Sequence, residues 1–139
     1  MKALSRMVMM FAVISAFALT SCSKDDDTPD MTATATGEYQ GTYKEGESGS
    51  TISVDEVDAT ITKVSSSEIK VNIAVLPGLA SAEFNATMDS ETTFTVPEFT
   101  LTEEQMKGSG TIQNENTLNI TLEGVTTPGY QITYIAERK

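Results

Sequence analysis

From Gly37 to the end of the chain, apolar and polar residues alternate with a period of two, and this alternation limits the fold more than any other feature. The clearest run is Ala80, Ala82, Phe84, Ala86 and Met88 against Ser81, Glu83, Asn85 and Thr87. Such a pattern makes a strand with one buried face and fixes its register, because a slip of one residue would turn every apolar side chain to water. Eight such stretches are predicted: Glu38 to Lys44, Thr51 to Lys63, Ile69 to Val75, Ala80 to Met88, Phe94 to Leu101, Lys107 to Gln113, Thr117 to Leu122 and Tyr130 to Glu137. Between them lie Glu45 to Gly49, Ser65-Ser66-Ser67, Leu76-Pro77-Gly78, Asp89-Ser90, Asn114-Glu115-Asn116 and Pro128-Gly129, all rich in turn-forming residues. The alternation changes phase twice. Between Val54 and Val57 this implies a bulge near Asp55-Glu56, and between Val96 and Phe99, around Pro97, an edge or a second bulge. Thr102-Glu103-Glu104-Gln105 has the spacing of a capping box and predicts one helical turn.

Short strands joined by tight turns predict an all-β, antiparallel up-and-down meander of about eight strands, with a β-sandwich as the alternative. A barrel is preferred because pairing the first strand with the last removes both exposed edges. The inward candidates are Ile52, Ile61, Ile69, Val71, Ile73, Phe84, Met88, Phe94, Phe99, Leu101, Ile112, Leu118, Ile120, Leu122, Ile132 and Tyr134. An eight-stranded barrel is just wide enough to be filled by such side chains or to hold one small ligand, and both outcomes stay open.

The N-terminal stretch has a different character. Lys2 and Arg6 precede an uncharged apolar run, Met7 to Leu19, which has the layout of a secretory signal and is too short to span a bilayer as a helix. The run ends in Leu19-Thr20-Ser21-Cys22, which resembles the lipobox of bacterial lipoproteins. That resemblance implies a diacylglyceryl thioether on Cys22, removal of residues 1–21, and a protein anchored to a membrane without crossing it. Two or more acyl chains hold firmly, whereas one binds only marginally. Cys22 is the only cysteine, so no disulfide can form within the chain.

Residues 22–36 then read as the lipidated cysteine and a flexible acidic tether, lacking the apolar periodicity needed to offset ordering entropy. Within it, Lys24-Asp25-Asp26-Asp27 resembles the export signal of surface lipoproteins of the Bacteroidetes type. This implies the outer face of the outer membrane. Nine Lys and Arg stand against twenty Asp and Glu, a net charge of −11 that becomes −13 once Lys2 and Arg6 leave with the signal. Without a basic cluster, such acidity argues against nucleic acid as a partner.

Residues 37–139 form the predicted domain. Gly37-Glu38-Tyr39-Gln40-Gly41-Thr42-Tyr43, Gly108-Ser109-Gly110-Thr111-Ile112 and Asn116-Thr117-Leu118-Asn119-Ile120-Thr121-Leu122 are similar to stretches of small lipocalin-like, or calycin-like, domains in lipoproteins of that surface class. Lipocalins proper open on Gly-x-Trp. This chain has no tryptophan and carries Tyr39 at that place. The resemblance implies a small barrel and, in some relatives, a small apolar ligand in its mouth, and it assigns no ligand-binding residue.

The chain contains no histidine, and Cys22 is consumed by lipidation, which excludes Ser-His, Cys-His and His-ligated metal chemistry. Asp55, Glu56 and Asp58 are the only compact acidic group in the domain. They lack the ligand spacing and central glycine of an EF-hand loop, so a solvated strand bend is the preferred reading and calcium binding the weaker one. Asn85-Ala86-Thr87 and Asn119-Ile120-Thr121 fit the N-glycosylation pattern by chance in a bacterial setting. No cofactor and no enzymatic activity are expected. The expected function is a lipid-anchored surface module binding a small apolar molecule or a glycan. A non-catalytic accessory protein that docks an envelope protein is the alternative, and a hydrolase with paired carboxylates is the least favoured.

Overall fold

The computed structural model describes residues 28–74 and 81–139. Eight strands follow one another: β1 Gly37–Glu47, β2 Ser50–Lys63, β3 Glu68–Ala74, β4 Ala82–Met88, β5 Thr93–Leu101, β6 Glu104–Gln113, β7 Thr117–Gly124 and β8 Gln131–Arg138. Each pairs antiparallel with its neighbour in sequence, and β1 pairs with β8, so the meander closes into a barrel with no sandwich edge. The closing ladder runs from Tyr39 opposite Arg138 to Gly46 opposite Gln131.

Alternation decides what faces inward. Tyr39, Tyr43, Ile61, Ile69, Val71, Ile73, Phe94, Leu118, Ile120, Leu122, Ile132 and Tyr134 are buried, and so are the smaller Ala59, Ala82, Ala86 and Ala136. The strand alanines let opposite walls approach, so the interior is occupied by side chains. Tyr134 is buried with its hydroxyl donating to the Val57 carbonyl at 2.7 Å, which satisfies the one polar atom it brings into the core.

Both phase changes are bulges. Gly41 opposes Val57 while Tyr43 opposes Val54, so Asp55 and Glu56 together face the single residue Thr42, and Glu56 takes φ +59°. Val96 opposes Gly108 and Phe99 opposes Met106, which places Pro97 and Glu98 opposite Lys107. Proline fits there because the bulge leaves one residue outside the ladder. Gly110 lies directly opposite Phe94, whose ring covers it: a Cβ on Gly110 would sit 2.0 Å from Phe94 Cζ.

Four expectations are corrected. No helical turn forms at Thr102-Glu103-Glu104-Gln105. Thr102 takes φ +60° in a tight turn with Glu103, and Glu104 opens β6. β1 runs on to Glu47 and turns at Ser48-Gly49, so Glu45 to Glu47 are strand and not loop. Ile52 is on the inner face, directly opposite Glu45, yet is 59% exposed, at the end of the barrel where β1 turns into β2. Finally, residues 30–36 are not free tether. Thr36 N and Ala35 N donate to Thr32 O in a helical-type turn, and Thr32 and Ala35 are fully buried against the barrel. Cys22, the Leu19-Thr20-Ser21 stretch, Lys24, Asp25, Asp26, Asp27, Val75, the Leu76-Pro77-Gly78 turn and Ala80 lie outside the described residues.

Candidate binding site at the open end of the barrel

The two ends of the barrel differ in chemistry. At one end, where β1 starts and β8 stops, Asp30–Thr36 lies across the opening. Asp30 caps this turn, accepting from Thr32 N at 3.0 Å and Thr32 Oγ1 at 2.6 Å, and it pairs with Lys63 from β2. Hydrogen bonding to Lys63, then to Thr32, holds the Asp30 carboxyl down at about 2. Beneath the segment, Tyr39 donates its hydroxyl to Ala35 O at 2.8 Å. The Arg138 guanidinium stacks 5.0 Å from the centre of the Tyr39 ring and donates to Thr36 O, to Thr34 O and to the Tyr39 hydroxyl. Burial raises the Tyr39 hydroxyl above its usual value against the opposing pull of Arg138, so the phenol remains neutral. Tyr39 thus closes this end of the barrel under Arg138.

At the opposite end, among the described residues, Tyr43 is buried while Glu45, Val54, Phe99, Leu101, Glu104 and Tyr130 are only partly covered and Ile52 is exposed. β1 brings Tyr43 and Glu45, β2 brings Ile52 and Val54, β5 brings Phe99 and Leu101, β6 brings Glu104, and Tyr130 stands just before β8. Cross-strand register shows why they share one face: Glu45 is opposite both Ile52 and the buried Ile132, and Leu101 is opposite Glu104. Tyr43 donates its hydroxyl to Glu45 Oε2. Burial raises the Tyr43 hydroxyl far above its ordinary value and the Glu45 carboxylate adds to it; for Tyr130 burial again leads, followed by the charge and hydrogen bond of Glu45. Glu45 therefore accepts from the Tyr43 hydroxyl and lies close enough to Tyr130 for its charge to act there. Beside it, Glu104 Oε1 accepts from Thr126 N, Thr126 Oγ1 and Thr127 N at 3.0, 2.7 and 2.8 Å, while Oε2 accepts from Thr127 Oγ1 at 2.8 Å. This carboxylate pins the β7–β8 loop, and the Thr126 hydrogen bonds lead in holding its pKa below the usual carboxylate range. A solvent-open cleft of about 460 Å³ lies beside this cluster, between Ser48 and the β7–β8 loop, and shares only Tyr130 with it.

The wall is thinnest between β4 and β5. These strands share the ladder pairs Thr87–Thr95 and Met88–Phe94, and above them Phe84 and Phe99 meet ring to ring at 5.0 Å with planes tilted by 30°.

The acidic group foreseen in β2 does not assemble. Asp55 accepts from Thr42 Oγ1 at 2.7 Å, Asp58 pairs with Lys139 at 2.6 Å and accepts from Gln40, and Glu56 occupies the bulge. Among the described residues no three of His, Cys, Asp and Glu are grouped to hold a metal. Glu45 was missed because it was assigned to a glycine-bounded loop. The signal that finds it is the spacing Tyr39, Gly41, Tyr43, Glu45, which continues the inward phase of β1.

No family model matches the chain, and no curated protein matches it. Solved structures share its fold. A redesigned β-barrel is 16% identical with a TM-score of 0.57, covering 80% of this chain and 96% of its own. The barrel EF1p2_mFAP2b, solved bound to DFHBI, is 14% identical with a TM-score of 0.56, covering 79% of this chain and 98% of its own. A protein described as a "putative outer membrane protein" from Bacteroides fragilis NCTC 9343 is 12% identical with a TM-score of 0.54 over 79% of this chain. This chain spans about half of that protein, 53% of its length.

Proposed function

We propose that the chain is a lipid-anchored outer-membrane protein whose barrel, of the lipocalin-like type, is held with its sealed end toward the membrane and its open end outward as a non-catalytic binding module. One observation carries this reading: the chain enters the barrel across the end that Asp30–Thr36 and Arg138 close, so an anchor at Cys22, six residues before Thr28, attaches to that pole. The other pole is left with partly exposed Tyr130, Phe99, Leu101, Val54 and Ile52 around Glu45. Such a mixture of apolar walls and a few polar groups suits a small, mainly apolar molecule. The partly covered groups available to such a molecule are at the mouth. That a barrel of this shape was solved with DFHBI bound supports the capacity of the fold for small ligands.

The exposed Ile52 and partly covered Val54, Phe99 and Leu101 favour a second reading, in which this end docks an envelope protein. Native mass spectrometry separates the two: a co-purified molecule of a few hundred daltons supports the first, and a stoichiometric protein partner the second. For the address, Cys22→Ser should release the protein from the membrane fraction, and protease added to intact cells should remove the wild-type domain. Full retention of the serine variant on the membrane refutes the anchor.

A further inference from the structure

We propose that this end of the barrel selects ligands bearing an ammonium group, with Glu45, held by the Tyr43 hydroxyl, as counter-ion and the apolar part against Val54, Ile52, Phe99 and Leu101. This inference rests on the reading of the open end as a binding site and names the class of molecule it takes.

Three observations carry it. Glu45 is on the inner face of the barrel, opposite the fully buried Ile132, and is partly withdrawn from water. It has no cationic partner among the described residues, whose ion pairs are Lys63–Asp30, Lys70–Glu83 and Lys139–Asp58. The adjacent Lys44 belongs to the opposite, outer face, opposite Ser53 and Thr133. A carboxylate drawn from water with only a phenol donor keeps much of its charge uncompensated, and an ammonium supplies what is missing. The partly exposed Tyr130 ring adds a second attraction, since a cation over an aromatic face gains from the ring quadrupole.

The surrounding field acts in the same direction. Glu104 is directly across from Leu101 on that rim, with Glu47 and Glu123 near by on the same pole, and the whole chain carries −11. An acidic rim raises the local concentration of cations and repels carboxylates. Glu104 itself is occupied by four hydrogen bonds from Thr126 and Thr127, which leaves Glu45 as the acceptor for an incoming cation.

The test uses three water-soluble probes of similar shape: phenethylammonium, 2-phenylethanol and 3-phenylpropanoate. Each is titrated against the full chain in non-ionic detergent by calorimetry, with tyrosine ring shifts followed by NMR. Phenethylammonium is expected to bind at least tenfold more tightly than the alcohol, to exclude the carboxylate, and to shift Tyr43 and Tyr130 but not Tyr39. Glu45→Gln keeps an oxygen for the Tyr43 hydroxyl and should remove the tenfold preference without changing alcohol binding. Ile52→Lys places an ammonium opposite Glu45 on an exposed side chain, so it should have the same effect without touching the core. Equal affinities for amine and alcohol, or an amine preference that survives both variants, overturn the cation selectivity and leave a mouth that binds apolar molecules. No binding of any probe at millimolar concentration overturns the mouth itself as a small-molecule site.

Discussion

Substituting Gly110 by alanine tests whether the core is as tightly filled as described. A Cβ there would lie 2.0, 2.4 and 2.6 Å from Phe94 Cζ, Cε2 and Cε1, where ordinary carbon contacts are about 3.5–4 Å. The ring must retreat by about 1.5 Å, and Phe94 is fully buried among close-packed core side chains. Overpacking of this kind costs about 1–3 kcal/mol. Against it, replacing glycine removes backbone freedom from the unfolded chain, a gain of about 0.4–1 kcal/mol. The steric term wins, for a net loss of about 1–2 kcal/mol, which in a domain of this size lowers Tm by about 4–16 °C. Thermal and urea unfolding of wild type, G110A, F94L and the double variant form a cycle that isolates the contact. The cost of G110A should shrink by about 1 kcal/mol in the F94L background, since leucine vacates the ring's space over residue 110. A loss below about 0.5 kcal/mol, or the same loss in both backgrounds, would refute the close packing of Phe94 on Gly110.

Three further outcomes are expected. Glu115 sits at φ +65° after Asn114 at +50° in the β6–β7 turn, so Glu115→Gly should raise stability by about 0.5–1 kcal/mol in denaturant titrations. Arg138→Met keeps bulk but removes three donors to Thr34, Thr36 and Tyr39. Amide exchange at Thr32, Ala35 and Thr36 should accelerate at least tenfold, while amides of β6 and β7 hold. Because the Asp30 carboxyl is held at about 2 in the folded chain against 3.8 ordinarily, its contribution is full above pH 4 and is lost as pH falls through 2. NMR titration should give that midpoint, with Thr32 losing protection in parallel and Asp30→Asn removing the transition.

The barrel was legible because period-two alternation is a local signal and every connection among its described strands is short. Even the bulges could be read, since inserting one residue shifts phase in the sequence itself, as between Val54 and Val57. What escaped depends on partners far along the chain. Thr102-Glu103-Glu104-Gln105 has the local grammar of a helix start, but Glu104 spends its carboxylate on Thr126 and Thr127, more than twenty residues away. Residues 30–36 are polar and short, and Thr32 and Ala35 become core only because an open barrel end needs a cover. Glu45 was hidden in the same manner, its neighbouring glycines outweighing the phase it shares with Tyr43.

The way the N-terminal segment is fastened sets how the domain meets mechanical load. A pull on the chain ahead of Asp30 acts at the end of β1, and it would peel that strand from β2 and β8 one rung after another instead of shearing many rungs at once. The first resistance is the Asp30–Lys63 pair and the Met31 N–Ser66 O bond, then the Arg138 clasp on Thr34 and Thr36, then Tyr39 Oη on Ala35 O. A tug on the N-terminal segment would therefore be borne by one ion pair, one backbone bond and one guanidinium before it reached the hydrogen-bond ladder, making this short segment the fuse of the molecule.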